Sequence, residues 1–273
     1  MAFGAIAVVV VIVVVLVLVK VVGGGSNGGN SASTGPAVVP AQASVLAAVN
    51  AVTPSEAATV GLPSSVGTPQ VAKNQPALES GGKPEALFIG GLFCPYCAAE
   101  RWALVMTFDR FGSFSGLKET TSSPYDTDPS TATFDFDGAT YTSSDVVFTP
   151  VEHDGNDTTA LGTRTTLEPL TSAESSLWSK YEAMFGEPEG FPFIDIGNKV
   201  FVVSPSYDPA TLAGLNQSAI AANLDNPNSA VTQDIVGTAN YLTAGVCAVD
   251  GEQPAMWCGS SAIKAAAASL GLS

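Results

Sequence analysis

Phe88-Ile89-Gly90-Gly91-Leu92-Phe93-Cys94-Pro95-Tyr96-Cys97-Ala98-Ala99-Glu100-Arg101-Trp102 is the stretch on which the reading of this 273-residue chain turns. Its apolar lead-in, Ala86 to Phe93, has the length of a buried strand, and the run from Ala98 to Phe111 is apolar nearly all round, as a helix covered on several sides would be. Two cysteines stand at the joint. A helix tolerates proline best at its first position, so Pro95 places Cys94 at the N-cap, its sulfur facing amides that have no partner inside the helix. The positive end of the helix dipole favours a thiolate there, and the thiolate is the nucleophile of disulfide exchange. Cys97, one turn inside, is expected to be buried and placed to attack a mixed disulfide on Cys94.

The pattern resembles the thioredoxin superfamily, whose active site is a Cys-x-x-Cys motif after the first strand of a strand-helix-strand unit. A second stretch, Gly190-Phe191-Pro192-Phe193-Ile194-Asp195-Ile196-Gly197-Asn198-Lys199-Val200-Phe201-Val202-Val203, resembles that superfamily's cis-proline, next strand, tight turn and returning strand. Gly197-Asn198 is in its own right a two-residue hairpin signal. The resemblance implies a thioredoxin-like α/β fold and a thiol-disulfide oxidoreductase, with Pro192 packed beside the reactive cysteine and shaping the substrate edge. It implies no metal or organic cofactor. Pro95-Tyr96 also matches glutaredoxin-type sites, while Phe93 stands where thioredoxins usually carry tryptophan, which leaves substrate preference open. More closely, Gly82 to Leu117 and Ala239-Asn240-Tyr241-Leu242-Thr243-Ala244 resemble a membrane-anchored, thioredoxin-like prokaryotic family catalogued as a domain of unknown function. That family supplies a fold rather than a substrate.

Residues Ala2 to Val22 are apolar apart from Gly4 and Lys20, and about 20 such residues cross the hydrocarbon core of a bilayer. A transmembrane anchor over 1–22 is expected; a cleaved signal peptide would carry a shorter apolar region of about 7 to 15 residues before a small-residue cleavage site. Lys20 lies beyond the run, which by positive-inside counting favours a cytoplasmic domain. Against this, long domains translocate largely regardless of charge, and four cysteines in two sequence-local pairs suit an oxidising compartment. The expectation is a single-pass membrane protein with its domain on the extracytoplasmic side. Residues 23–40, glycine, serine and other small residues, read as a flexible tether. Over 41–82 the helical spacing of Val45, Leu46, Val49 and Val52 stands beside the alternative of disorder as far as Gly82. The thioredoxin-like domain then occupies 83–273.

The net charge of -15 argues against nucleic acid as a partner and reads as a solvated acidic surface. In order after the first helix, Gly112 to Gly116 breaks the helix, Leu117 to Thr121 is a candidate strand, and Phe134, Phe136 and Tyr141 flank an Asp137-Gly138 hairpin signal. Val146 to Val151 makes a further strand. This inserted β-rich segment carries Asp126, Asp128, Asp135, Asp137 and Asp145 without the spacing or closing glutamate of an EF-hand, so turn chemistry is the reading. Thr171 with Glu174 forms a capping box ahead of a stripe of Leu177, Trp178, Tyr181, Met184 and Phe185, taken as core rather than as ligand. Extra C-terminal helices follow: Val231, Ile235, Ala239, Leu242 and Val246 mark one that ends at Cys247, and Gly259 to Leu270 another.

Cys94 and Cys97 could also begin a zinc site completed by Cys247 and Cys258, but zinc pairs usually sit on knuckle turns rather than between a strand and a helix. Cys247 and Cys258 are read as a structural disulfide, with a relay pair exchanging electrons with Cys94 and Cys97 as the alternative. His153, the single histidine, reads as a solvated strand-end residue among polar neighbours. Glu100 and Arg101, one turn from Cys97, either tune its proton transfer or form an exposed ion pair. The sequons at Asn156 and Asn216 carry no weight without a glycosylating host. The expected partners are protein thiols or disulfides, the membrane, and a membrane redox partner. The competing class is a scaffold that keeps the pair as a static disulfide.

Overall fold

The structure, a computed structural model, describes residues 35–272. The expected membrane span lies outside those residues, as does most of the tether. Among the described residues, no helix is long and apolar enough to cross a membrane. In chain order the elements are β1 (Val39–Pro40), α1 (Ala43–Ala51), α2 (Pro54–Val60), β2 (Gln70–Val71), β3 (Glu79–Ser80), β4 (Lys83–Gly91), α3 (Pro95–Asp109), β5 (Gly112–Ser115) and β6 (Lys118–Thr121). There follow β7 (Ala132–Asp135), β8 (Thr140–Ser143), β9 (Val147–Asp154), α4 (Ser172–Phe185), β10 (Phe193–Ile196), β11 (Val200–Val202), a 3-10 turn (Pro209–Leu212), α5 (Gln217–Asn223), α6 (Ala230–Cys247), α7 (Ala255–Cys258) and α8 (Ser261–Leu270).

The fold is a mixed α/β one. At its centre lies β4, paired along one side with β9 in parallel and along the other with β10 in antiparallel sense, and the sheet continues through β11 to β2. A strand covered on both faces reads as a continuous apolar run, which is why Ala86 to Ile89 shows no polar alternation. The pleat nevertheless sorts these residues. Ala86, Phe88, Ile194, Ile196, Val200 and Val202 enter the main core with Trp102, Phe108 and Leu242 of α3 and α6. Leu87, Ile89, Phe193 and Phe201 point the other way, to a smaller core closed by Tyr181 of α4. Helix α6 comes so close to the sheet that a Cβ on Gly245 would sit 3.1 Å from Ile196 Cδ1 and 3.2 Å from Val200 Cβ. That contact accounts for a glycine in a helix interior, where it costs about 1 kcal/mol relative to alanine.

Over 41–82 the chain forms α1 and α2, and Val45, Val49 and Ala57 are buried in the main core. A capping box of Thr53 and Glu56 starts α2, and Asn240 of α6 donates to the carbonyls of Ala57 and Gly61 at its other end. These helices belong to the same compact unit as the sheet.

The inserted segment departs from the expected hairpin at Asp137-Gly138. Residues β5 and β6 on one side and β7 and β8 on the other form a kinked antiparallel ribbon: β5 pairs with β8 and β6 with β7. The reversal lies in the loop between Thr121 and Ala132. Asp137-Gly138 belongs to a bulge, where Phe136 to Ala139 stands opposite only Gly116 and Leu117. Gly138 has the positive φ (74°) that a turn signal announces, yet the chain returns to the ribbon rather than reversing there. A local turn preference does not reveal which strands lie across from each other.

Candidate functional site

Cys94 is the N-cap of α3, and its Sγ accepts the backbone N–H of Cys97 at 3.3 Å. Both cysteines are free; Cys94 is 5% exposed and Cys97 fully buried. Their environments push the thiols apart. A hydrogen bond from the Cys97 thiol is the main cause that lowers Cys94, helped by the Cys97 backbone N–H and the Arg101 charge against the opposing effect of burial. Burial raises Cys97 well above the ordinary thiol range, and its hydrogen bond to Cys94 adds to the effect. The two thiols thus differ in the same sense: ionisation is favoured at Cys94 and disfavoured at Cys97.

Pro192 comes to the same place, since the Phe191 carbonyl lies 4.0 Å from Cys94 Sγ and the Phe191–Pro192 bond is cis. The Phe191 ring is held by Trp178, stacked at 5.3 Å and 13°, and touches Phe93 edge-on at 6.1 Å. Trp178 is thus a supporting residue of the site as well as part of the α4 stripe. His153 lies at the end of β9, half-buried rather than solvated: its Nδ1 is 3.0 Å from the Glu168 carbonyl and its ring 6.3 Å from that of Phe191.

The turn into Cys94 is fixed from several sides. Gly91 O accepts the Cys94 N–H and Arg101 Nη2, Leu92 O accepts Asn156 Nδ2, and Phe93 O accepts the Ser123 N–H. Three successive carbonyls therefore have donors and are held in place. A Cβ at Gly91 would sit 2.7 Å from the Phe93 ring, so a larger residue there would have to displace that ring. The Asn156 amide, committed to Leu92 and to Thr121 O at 2.7 Å, is also not free to carry a glycan.

Arg101 and Glu100 form no exposed ion pair. Arg101, fully buried, makes a forked bond to Glu152 of β9, with Nε to Oε1 at 2.8 Å and Nη2 to Oε2 at 2.6 Å. Glu100 turns to the other side of α3, where its carboxylate accepts the Ser206 N–H and hydroxyl. Burial pushes the Glu100 carboxyl up to about 7. Arg164, from the loop after β9, lies 3.3 Å above the centroid of the Phe93 ring and pairs with Asp157 at 2.8 Å. The only sequence signal for these partners was a charge inside an otherwise apolar helix, which marks Arg101 without naming Glu152. Among the described residues no group of three or more His, Cys, Asp or Glu is arranged to hold a metal ion.

A family model described as a domain of unknown function (DUF929) matches residues 70–248. The chain belongs to this family. No curated protein and no solved structure matches it. The DUF929 region holds the whole central sheet, Cys94, Cys97 and Pro192, and ends one residue after Cys247. A cavity of about 580 Å³ lined in part by Lys73, Asn198 and Lys199 lies at the β10–β11 turn, the opposite end of β10 from Pro192, and contains none of the residues around Cys94.

Cys247 and Cys258 form a disulfide, with the Cα atoms 5.6 Å apart. It lies at the far end of α3 from Cys94 in this DUF929 protein. Arg110, just past the C-terminus of α3, bonds Thr243 at 2.6 Å and places its guanidinium 4.1 Å from the Trp257 ring, next to Cys258. The 15 residues of α3 span about 22 Å, too far for direct thiol exchange between the two pairs. Replacing Cys247 and Cys258 together with alanine is expected to lower stability by about 2 to 3 kcal/mol, from the loop entropy restored to the unfolded chain. Exchange at Cys94 should stay unchanged in that variant, measured with a small disulfide substrate after a denaturation curve. Lost exchange in the folded variant would restore the relay.

Proposed function

We propose that this chain is a membrane-anchored, extracytoplasmic thiol-disulfide oxidoreductase with a thioredoxin-like core. The observation that carries the reading is the N-cap geometry of Cys94, whose sulfur receives the Cys97 N–H at 3.3 Å while Cys97 is buried one turn behind. The unit β4–α3–β9, with its two strands parallel, and Pro192 leading into the β10–turn–β11 hairpin support the thioredoxin-like comparison. The membrane anchor rests on Ala2 to Val22, and the Cys247–Cys258 disulfide supports an oxidising compartment.

In the reducing direction the Cys94 thiolate attacks one sulfur of a substrate disulfide, forming the mixed disulfide and releasing the other substrate sulfur as a thiolate. Cys97 loses its proton and attacks Cys94 Sγ; the Cys94–substrate bond breaks and the second substrate thiolate leaves. Two electrons pass to the substrate and the pair becomes a disulfide. The oxidising direction is the same steps reversed. The Phe191 carbonyl and the aromatic contacts of Phe93 and Trp178 hold the edge along which a substrate cysteine approaches.

Equilibration of the Cys94–Cys97 pair with a thiol-disulfide buffer tests this. A potential above about -300 mV is expected of an exchanging pair; one below it marks a static structural disulfide and the scaffold reading.

A further inference from the structure

We propose that Arg101 and Glu152 form the positioning device of this redox centre: Arg101 clamps the turn into Cys94 through the Gly91 carbonyl and holds a buried positive charge behind the two sulfurs, while Glu152 fixes the direction of the guanidinium. The inference rests on the oxidoreductase reading and concerns how the same site is tuned.

Arg101 lies four residues beyond Cys97 on α3, one turn further into the helix, and its Nε and Nη2 are engaged. Nη2 reaches Gly91 O at 2.9 Å, the same carbonyl that accepts the Cys94 N–H. Nε and Nη2 are held by Glu152, and Glu152 is itself held by the Phe136 N–H on Oε1 and through its own N–H on Glu168 Oε2 at 2.6 Å. Arg101 Nη1 is buried with no hydrogen-bond partner. The charged groups that face Arg101 are Glu152 from β9 and Asp135 from β7; Lys118 pairs with Asp135 at 3.3 Å, which leaves Glu152 as its own counter-ion. Replacing a buried ion pair by apolar residues of similar volume is often neutral or stabilising, so stability alone is a weak reason for this pair. Its place on the carbonyl that also accepts the Cys94 N–H, one turn beyond Cys97, supplies another: from there the Arg101 charge favours the thiolate of both cysteines.

Three measurements on reduced protein, each following the Cys94 thiolate by its ultraviolet absorbance and by alkylation rate, test the proposal. Replacing the pair together, Arg101→Met with Glu152→Met, leaves no unpaired charge and should fold. In it Cys94 should titrate about one unit higher and be alkylated about tenfold more slowly at pH 6. Glu152→Gln keeps hydrogen-bonding groups while removing the counter-charge, so its Cys94 titration should move the opposite way, downward. A buried charge is poorly screened, so the wild-type titration should hold its position in about 1 M salt. A purely structural pair would alter stability in both variants without moving the titration in opposite directions. Variants that titrate like the wild type, or a wild-type depression erased by salt, would overturn the proposal while leaving the oxidoreductase reading standing. A wild-type Cys94 that titrates as an ordinary thiol would instead remove the oxidoreductase reading and this inference with it.

Discussion

Cys97→Ser accumulates covalent adducts with a disulfide substrate, and Cys94→Ser accumulates almost none: this is the largest effect expected of any substitution in the chain. Attack needs a thiolate, and Cys94 is the sulfur whose ionisation is favoured, chiefly by the hydrogen bond from Cys97. Serine at 97 still donates a hydrogen bond but cannot displace the substrate, so the mixed disulfide persists. In Cys94→Ser the remaining thiol is fully buried and held protonated. The pH dependence follows with the same sign. A lowered thiol stays ionised above its folded pKa and loses reactivity only as pH falls through that value, so Cys94 should be alkylated faster near neutral pH than an ordinary thiol, whose pKa is about 8.5. Denaturing gels without reductant read the adducts, and a rate profile with an uncharged alkylating agent reads the titration. Equal trapping by both variants would remove the assigned division of labour, leaving a scaffold.

Trp102→Ala is expected to destabilise the protein by about 3 to 5 kcal/mol, the range for truncating a buried aromatic side chain. Trp102 is fully buried, donates Nε1–H to Ala132 O at 2.9 Å, and lies 4.6 Å from the Phe134 ring. Both partners are in β7, so this side chain joins the cysteine helix to the inserted ribbon. At roughly 2 to 4 °C per kcal/mol for a domain of this size, the thermal midpoint should fall by about 10 °C. Trp102→Phe keeps most of the ring contact and leaves the Ala132 carbonyl without a partner, a loss of about 1 to 3 kcal/mol. Denaturant titration separates the two. An alanine variant within about 1 kcal/mol of wild type would mean that the ribbon is not anchored through Trp102.

The pieces legible in the chain were those built from neighbours. Pro95 after Cys94 marks the start of α3, Thr171 with Glu174 the start of α4, and Gly197-Asn198 the β10–β11 turn, and all three stand where they were read. Each depends on residues within about four positions of one another, so the sequence window contains the whole interaction. Asp137-Gly138 shows the limit of such windows: its turn chemistry is real, but its place in the ribbon was decided by pairing with β5 and β6.

From the sequence alone came the strand–helix joint, the placing of Cys94 ahead of Cys97, and the strand, turn and return after Pro192. Tertiary structure alone decided that the Arg101 fork closes on Glu152, 51 positions away, that Asn156 and Ser123 tie down the turn into Cys94, and that the Cys247–Cys258 bridge lies at the other end of α3. The reason is physical. A cap or a tight turn is settled by steric limits and hydrogen bonds inside one short segment, whereas the partner of a buried charge or carbonyl is whichever group the register and packing of the whole sheet carry to within 3 Å of it.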